Sequence, residues 1–172
     1  MTDTRPGWDE YFIRLAEAAS LRADCTRRRV GAVIVKDNRV VSMGYNGAPA
    51  GQPGCLSDGA CPRGRHYKSY RGSGFDEADW YCACDNPWPC PDAVEPGSSY
   101  DNCISSHAEE NALLYSSRDQ NKGATIYITD EPCFRCWKLI ASSGIRRVVY
   151  PNGDFETLPR LRQIYAERSP QS

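Results

Sequence analysis

The chain has 172 residues and fits a single domain, residues 1–172, that is long enough to bury a hydrophobic core. Its formal net charge of −1 and its pI of about 6.1 differ from the basic character of domains that bind long nucleic acid. The sequence has neither a run of eighteen apolar residues nor a basic N-terminal segment followed by an apolar one. We therefore expect a cytoplasmic protein that acts on a small molecule, with neither long nucleic acid nor a membrane as partner.

The first fifty residues predict a helix followed by a β-hairpin. Apolar residues recur at close to 3.6-residue spacing from Trp8 to Arg22, which is typical of an amphipathic helix. Two β-branched runs, 30–36 and 39–45, are separated by Asp37 and Asn38, and this pattern predicts antiparallel strands joined by a tight turn.

Candidate substrate contacts flank this hairpin. Asn46 lies in the turn-rich segment after the second strand, where glycines permit close backbone approach to a ligand. The alternative for Asn46 is a turn residue in the left-handed conformation. Before the first strand, the basic run 27–29 offers Arg29 for bidentate binding of phosphate, although a solvated basic turn is the more frequent meaning of such a run.

Regular patterning is absent from residues 51 to 102, which are rich in glycine and proline. A loop of that length is uncommon unless something pins it, and nine cysteines in a chain without a secretion signal favour metal thiolates over disulfides. The hairpin can bring Cys25 and Cys55 together, so the insert is expected to hold a second zinc. The candidate ligands are Cys25, Cys55, Cys61, Cys82, Cys84, Cys90 and Cys103, with His66 as a further donor.

The last seventy residues predict alternating helices and strands. Ser105 or Ser106 is expected to cap a helix that begins at His107, and Gly144 is a typical signal for the end of the next helix. The expected elements are a helix at 107–115, a strand at 124–129, a helix at 133–143, a strand at 145–150 and a helix at 158–168.

Three residues in this half are candidate ligands of a catalytic zinc: His107, Cys133 and Cys136. Three protein ligands leave the fourth coordination position open, as in catalytic rather than structural sites. Glu109 is a poor ligand in such a set, but it is well placed to carry protons between water and a leaving group. A Cys-x-x-Cys pair alone also serves structural zinc and redox sites. His-x-Glu followed by Pro-Cys-x-x-Cys is far more specific, because it is the signature of zinc-dependent nucleobase deaminases.

Four segments resemble the deoxycytidylate (dCMP) deaminase family of the cytidine deaminase superfamily. They are Val30-Gly-Ala-Val-Ile-Val, Gly44-Tyr-Asn-Gly-Ala-Pro, His107-Ala-Glu-Glu-Asn-Ala and Gly144-Ile-Arg-Arg-Val-Val-Tyr. The resemblance covers about residues 8–150, interrupted at about 62–101. It implies an α/β, three-layer fold whose central mixed sheet of four or five strands is flanked by helices.

The resemblance also implies an activity, namely zinc-dependent hydrolysis of dCMP to dUMP and ammonia in pyrimidine deoxynucleotide metabolism. His107, Cys133 and Cys136 would hold the zinc, Glu109 would be the proton shuttle and Asn46 would contact the deoxyribose. Ala108, between the histidine and the glutamate, is a further candidate substrate contact, and a homo-oligomer is expected.

Alternatives to dCMP deamination are a deaminase of a modified dCMP, a nucleoside or a free base, and a zinc-clipped binding module without catalysis. Glu109 and Pro132 argue against the binding module, because a structural zinc requires neither residue. In relatives, cysteines matching Cys25 and Cys55 hold a structural zinc. The family's tyrosine just past the fourth strand has no match here, and Asp154 and Phe155 lie near its place.

Overall fold

The computed structural model describes residues 5–56 and 103–168, together with the backbone of residues 68–70 and 80–82. The chain groups into two compact units. One comprises Met1–Ala23, Arg29–Gly47 and Ser106–Ser172, and the other comprises Asp24–Arg28 and Ala48–Ser105. Four candidate ligands of the second zinc, together with the side chain of Cys82, lie outside the described residues. These four are Cys61, His66, Cys84 and Cys90.

Twelve helices and strands are present in the described residues. In chain order they are α1 (Trp8–Ser20), β1 (Gly31–Lys36), β2 (Arg39–Tyr45), β3 (Lys68–Tyr70), β4 (Trp80–Cys82), α2 (Ala108–Leu114), α3 (Arg118–Asn121), β5 (Thr125–Ile128), α4 (Phe134–Ser143), β6 (Arg147–Tyr150), β7 (Gly153–Glu156) and α5 (Thr157–Arg168).

The first unit is built on a five-stranded sheet of order β2-β1-β5-β6-β7. Strands β5 and β6 are parallel, whereas the other neighbours in this sheet are antiparallel. The hairpin turn is confirmed, because Asp37 and Asn38 have φ angles of 51° and 57°, as a tight turn with two left-handed residues requires. The predicted mixed sheet is therefore confirmed, with five strands.

Side chains of successive strand residues point to opposite faces of the sheet, and helices cover both faces. One face packs against α2, α4 and α5, and the other packs against α1. Buried strand residues on the first face include Ala32, Ile34, Ile126, Ile128, Val148 and Tyr150, and those on the second include Val33, Val35, Tyr127 and Val149. This arrangement confirms the three-layer fold, and burial of each large apolar side chain contributes roughly 1.5–3 kcal/mol.

The second unit contains a short hairpin in the segment for which the sequence predicted no regular structure. Strands β3 and β4 pair in antiparallel fashion, with Lys68 opposite Cys82 and Tyr70 opposite Trp80. Strands of three residues are too short to show an alternating pattern in the sequence. None of the helices in the described part of the chain is long and apolar enough to span a membrane.

Candidate active site

Helix α2, which carries the His-Ala-Glu motif, lies unusually close to β2. A Cβ atom at Gly44 would collide with the backbone carbonyl of Ala108 and the backbone nitrogen of Ala112, so only glycine allows this approach. Ser42, two residues earlier on the same face of β2, donates a hydrogen bond of 2.8 Å from its hydroxyl to the Ala112 carbonyl. The sheet therefore fixes the start of the helix that presents the candidate ligand His107.

His107 itself caps α2, with an extended backbone at φ −73° and ψ 156°. Its backbone N–H donates to the Glu110 carboxylate over 2.9 Å, which satisfies a group that the helix leaves unpaired. The expectation that Ser105 or Ser106 caps this helix is wrong. The backbone of Ser106 instead forms an antiparallel bridge with Gly47, with hydrogen bonds of 2.9 and 3.2 Å.

The two cysteines lie at the start of α4. Cys133 is the residue that caps this helix and Cys136 is in its first turn, where it is buried. The Nδ1 atom of His107 lies 3.6 Å from the Cys133 sulfur and 3.4 Å from the Cys136 sulfur. Zinc bonds of about 2.0 and 2.3 Å to nitrogen and sulfur at a tetrahedral angle place those atoms about 3.5 Å apart. The three donors therefore fit a tetrahedral zinc ion with one position open, and they are the one three-donor group among the described side chains.

Protonation of the three donors is coupled by hydrogen bonds. The hydrogen bond with Cys136 lowers the pKa of the Cys133 thiol to about 4, and the same contact raises the pKa of Cys136. The contact with Cys133 raises the pKa of His107. The Cys133 sulfur is thus already a thiolate at neutral pH, whereas Cys136 holds a proton that a divalent cation would displace on binding.

Glu109 points into this site and is only 4% exposed. Burial is the main cause that raises the pKa of its carboxyl group to about 7, since the low-polarity surroundings disfavour the charged form. A group with that pKa can both accept and release a proton at neutral pH, which is the property a general acid–base catalyst needs. Glu109 does not belong to the three-donor group.

Asn46 extends the pairing of β1 with β2. Its side-chain oxygen accepts a hydrogen bond of 2.7 Å from the Val30 backbone N–H, and the backbone N–H of Asn46 donates to the Val30 carbonyl over 3.1 Å. The left-handed alternative for Asn46 is wrong, because the described non-glycine residues with positive φ are Asp37 and Asn38. Since the oxygen faces Val30, the amide nitrogen of Asn46 is directed away from it.

The remaining predicted contacts have different settings. Ala108 is fully buried in the first turn of α2, and Arg29 is exposed just before β1. Asp154 and Phe155 both belong to β7, where Asp154 forms an ion pair of 2.6 Å with Arg147. The Phe155 ring packs against Trp137, at a centroid distance of 6.4 Å.

In the second unit, Cys25 and Cys103 are half-buried and Cys55 is fully buried. The Asp24 carboxylate accepts a hydrogen bond of 2.9 Å from the Leu56 backbone N–H, so the segments that carry Cys25 and Cys55 are joined. Cys25, Cys55 and Cys103 form no three-donor group among the described side chains, and a second zinc is not shown. The described cysteines form no disulfides among themselves.

The sequence interpretation missed Glu110 and Arg135. Glu110 contacts both His107 and Arg135, and Arg135 lies between the two cysteine ligands. The available signal was a helix-capping residue followed three residues later by a glutamate. It was missed because the cap was assigned to Ser105 or Ser106 instead of His107.

A three-layer α/β fold that presents one histidine and two cysteines beside a buried glutamate defines a zinc-dependent deaminase. The chain belongs to the cytidine and deoxycytidylate deaminase zinc-binding family, whose model matches residues 6–152.

Individual relatives agree with this family. The deoxycytidylate deaminase of Mycobacterium phage D29 is 48% identical over 148 residues, which cover 86% of this chain and 97% of that protein. The deoxycytidylate deaminase of Schizosaccharomyces pombe is 37% identical over 85% of this chain, but the match spans only 37% of that longer protein. A crystal structure of the dCMP deaminase from cyanophage S-TIM5, in complex with dCMP and dUMP, superposes with a TM-score of 0.53. That likeness covers 94% of both chains at 22% identity, and it bears on the fold alone.

Proposed function

We propose that this protein catalyses the zinc-dependent hydrolytic deamination of dCMP to dUMP, with release of ammonia. The observation that carries the proposal is the position of Glu109, a buried carboxyl group beside three donors at the spacing of a tetrahedral zinc site. The relatives named deoxycytidylate deaminase support dCMP as the substrate. A binding module without catalysis would have no need of a buried carboxyl group with a pKa near 7 at this point.

In the proposed reaction His107, Cys133 and Cys136 hold the zinc ion. When bound, zinc makes a water molecule acidic enough to act as a nucleophile near neutral pH. Glu109 would accept a proton from the attacking water molecule and deliver it to N3 of the pyrimidine, while a C–O bond forms at C4. Glu109 would then take the proton of the new C4 hydroxyl group and deliver it to the departing amine as the C4–N bond breaks, so that one water is consumed and one ammonia is released. The raised pKa of Glu109 suits both halves of this proton transfer.

Three residues are proposed to bind the substrate. Asn46 contacts the deoxyribose, and its orientation is supported by the hydrogen bond from Val30, which fixes the amide before substrate arrives. Ala108, at the start of α2, is the second proposed substrate contact, and Arg29 binds the 5′-phosphate. The exposure of Arg29 is compatible with that role, since an exposed guanidinium is available for a phosphate.

A second, structural zinc is proposed in the Cys-rich insert, with Cys25 and Cys55 as two of its ligands. Two of Cys61, His66, Cys82, Cys84, Cys90 and Cys103 would complete the site. Support comes from the complete burial of Cys55 and from the hydrogen bond that joins the segments on either side. Elemental analysis should then give two zinc ions per chain, and Cys55→Ser should lose one of them. One zinc per chain, with the remaining thiols freely titratable, would contradict this second site.

Three further expectations from the sequence are part of the proposal: a single deaminase domain, a homo-oligomer and a cytoplasmic location. Sedimentation velocity at micromolar concentration tests the oligomer directly, because a sharp boundary at the monomer mass would contradict it.

The substrate assignment is tested by measuring ammonia release from dCMP, deoxycytidine, cytidine, cytosine and guanine side by side. We expect dCMP to be preferred to deoxycytidine by a large factor in kcat/KM, since charge-assisted hydrogen bonds to phosphate are among the strongest polar contacts. Equal rates on nucleotide and nucleoside would contradict a phosphate-binding role for Arg29. Faster turnover of cytosine or guanine than of dCMP would show that the protein is a deaminase of that other substrate.

A further inference from the structure

Glu110 makes two contacts that reach both halves of the proposed zinc site. Its Oε2 atom accepts a hydrogen bond of 2.9 Å from the backbone N–H of His107. Its Oε1 atom pairs with Nε of Arg135 at 3.0 Å. The Glu110 side chain is 14% exposed, so this ion pair is screened by water less than a surface pair.

The two partners of Glu110 belong to the two elements that supply ligands. His107 caps α2, whereas Arg135 is in the first turn of α4, between Cys133 and Cys136. A shift of one helix start relative to the other would change the distances of 3.4 and 3.6 Å between the histidine nitrogen and the sulfurs. A single carboxylate therefore links the histidine ligand to the segment that carries the cysteine ligands.

We propose that Glu110 is a positioning residue, which holds His107 and the Cys133–Cys136 segment at the separation that zinc requires. The inference deepens the proposed function and rests on the zinc site it contains. Charge-assisted hydrogen bonds give the link its strength, because both contacts use an ionised carboxylate. Partners that orient metal ligands are typically worth ten- to a hundredfold in metal affinity.

A simple helix cap would explain only the contact with His107. The pairing with Arg135 is independent of that cap, and it joins α2 to a different helix. The two roles predict different results. A cap stabilises the protein equally with and without zinc, whereas a positioning residue slows the loss of zinc itself.

The test measures the rate at which zinc passes from the holoenzyme to a coloured chelator. Glu110→Ala removes both contacts and should release the catalytic zinc about ten- to a hundredfold faster than wild type. Glu110→Gln can still cap the helix but loses the charge, and Arg135→Ala removes only the ion pair. Each of these two variants should show a smaller acceleration, and the double variant should not add the two effects, since both act on one interaction.

Glu156→Gln is the matched control, because Glu156, the last residue of β7, forms an exposed ion pair of 3.3 Å with Arg146. It should release zinc at the wild-type rate. Arg135 is 64% exposed, so Arg135→Ala is expected to fold even where Glu110→Ala does not. Release at the wild-type rate in Arg135→Ala and Glu110→Gln would overturn the proposal, whatever the stability of Glu110→Ala.

Zinc release involves no substrate, so this inference and the proposed function can fail separately. Accelerated zinc loss in a protein that leaves dCMP unchanged would uphold Glu110 as a positioning residue and refute the proposed reaction. Unchanged zinc loss in an enzyme that deaminates dCMP would do the reverse.

Discussion

At the scale of single residues, the carboxyl group of Glu109 belongs to a residue that is only 4% exposed. Its chemistry depends on that burial, because an exposed glutamate would be ionised throughout the neutral range. Nearby, a hydrogen bond links the two cysteine side chains, and the Glu110 carboxylate accepts a hydrogen bond from the backbone N–H of His107. The protonation and the position of each donor therefore depend on its neighbours as well as on its own chemistry.

Replacing Glu109 tests its role as proton carrier. We expect Glu109→Gln to lose at least about a hundredfold in deamination rate while zinc stays bound, because the carboxylate moves protons and is not a ligand. Zinc content and ammonia release are measured on the same sample, with Glu156→Gln as the control that keeps full activity. A variant with more than about a hundredth of the wild-type rate would show that another group carries the proton.

Asn46 allows its structural and substrate-binding roles to be separated. Asn46→Asp keeps an oxygen that can accept from the Val30 N–H, but it loses the amide donor and adds a negative charge. We expect the melting temperature to stay close to that of wild type, while kcat/KM for dCMP falls about tenfold or more, as for a lost substrate hydrogen bond. An unchanged kcat/KM would remove Asn46 from the proposed substrate site.

The sequence identified the site residues whose chemistry lies in a short motif. His107, Glu109, Cys133 and Cys136 were predicted because ligand type and spacing alone indicate zinc. The hydrogen bonds around them depend on register and close packing. Asn46 is held by a hydrogen bond from Val30, sixteen residues away, and no local sequence pattern predicts that contact.

At the scale of helices and strands, the close packing of α2 on β2 decides where the histidine ligand lies. Gly44→Ala places a methyl group against the backbone of Ala108 and Ala112, so α2 has to move. We expect a loss of about 1–3 kcal/mol in the free energy of unfolding, together with weaker zinc retention. Urea unfolding and zinc analysis measure the two effects.

Gly7→Ala is the control for this substitution, because nothing lies within 4 Å of a Cβ atom at Gly7. It should cost less than about 1 kcal/mol and leave zinc retention unchanged. Gly44→Ala protein that matches this control in both measurements would show that the contact of α2 with β2 is not critical.

Asp9 connects helix α1 to the sheet through hydrogen bonds. Its carboxylate accepts from the Tyr127 hydroxyl over 2.7 Å and from the Arg147 guanidinium over 2.8 and 3.0 Å. The hydrogen bond from Arg147 is the main cause that lowers the pKa of Asp9 in the folded protein. The unfolded state therefore binds a proton more readily, so this contact stabilises the fold above the ordinary aspartate pKa and is lost as the pH falls.

The expected consequence concerns stability in acid. As the pH falls through 4 and below, wild type should lose stability more steeply than Asp9→Asn, which has no carboxylate to protonate. The difference should stay below about 1 kcal/mol, because the Asp9 side chain is half exposed and water screens the pair. Urea unfolding from pH 3 to 7 measures both slopes, and equal slopes would contradict the assignment.

Longer elements were predicted well because their apolar periodicity is visible in the sequence. Helix α1, strands β1 and β2, and helices α4 and α5 lie within two residues of their expected bounds. Strand β7 was not assigned from its own residues, because Gly153–Glu156 is short and mostly polar. It pairs with β6 as Phe155 packs against Trp137, a contact that depends on the tertiary fold.

At the scale of the whole molecule, the sheet brings together residues that are far apart in the chain. His107 and Cys133 are separated by 26 residues, yet α2 and α4 pack on the same face of the sheet. Cys133 closely follows the carboxyl end of β5, which is parallel to β6. The carboxyl ends of parallel strands are the usual position of ligand sites in α/β sheets.

Fold class and reaction class were accessible from the sequence, because the motifs that resemble the deaminase family imply both. The ligands of the proposed second zinc were not accessible, since the geometry of a long Gly/Pro-rich insert cannot be derived from residue spacing. The exact nucleotide is also not encoded in a short motif, because a pocket selects its substrate through three-dimensional contacts.

Zinc-dependent turnover of dCMP is the central claim, and zinc restoration tests it most directly. The protein is stripped of metal with a chelator, zinc is added back in steps, and dUMP and ammonia are measured after each addition. We expect negligible turnover without zinc and recovery that follows the occupancy of the His107, Cys133 and Cys136 site, because that zinc supplies the acidic water. Turnover of dCMP that is independent of zinc, or a fully occupied site that produces no dUMP, would contradict the claim.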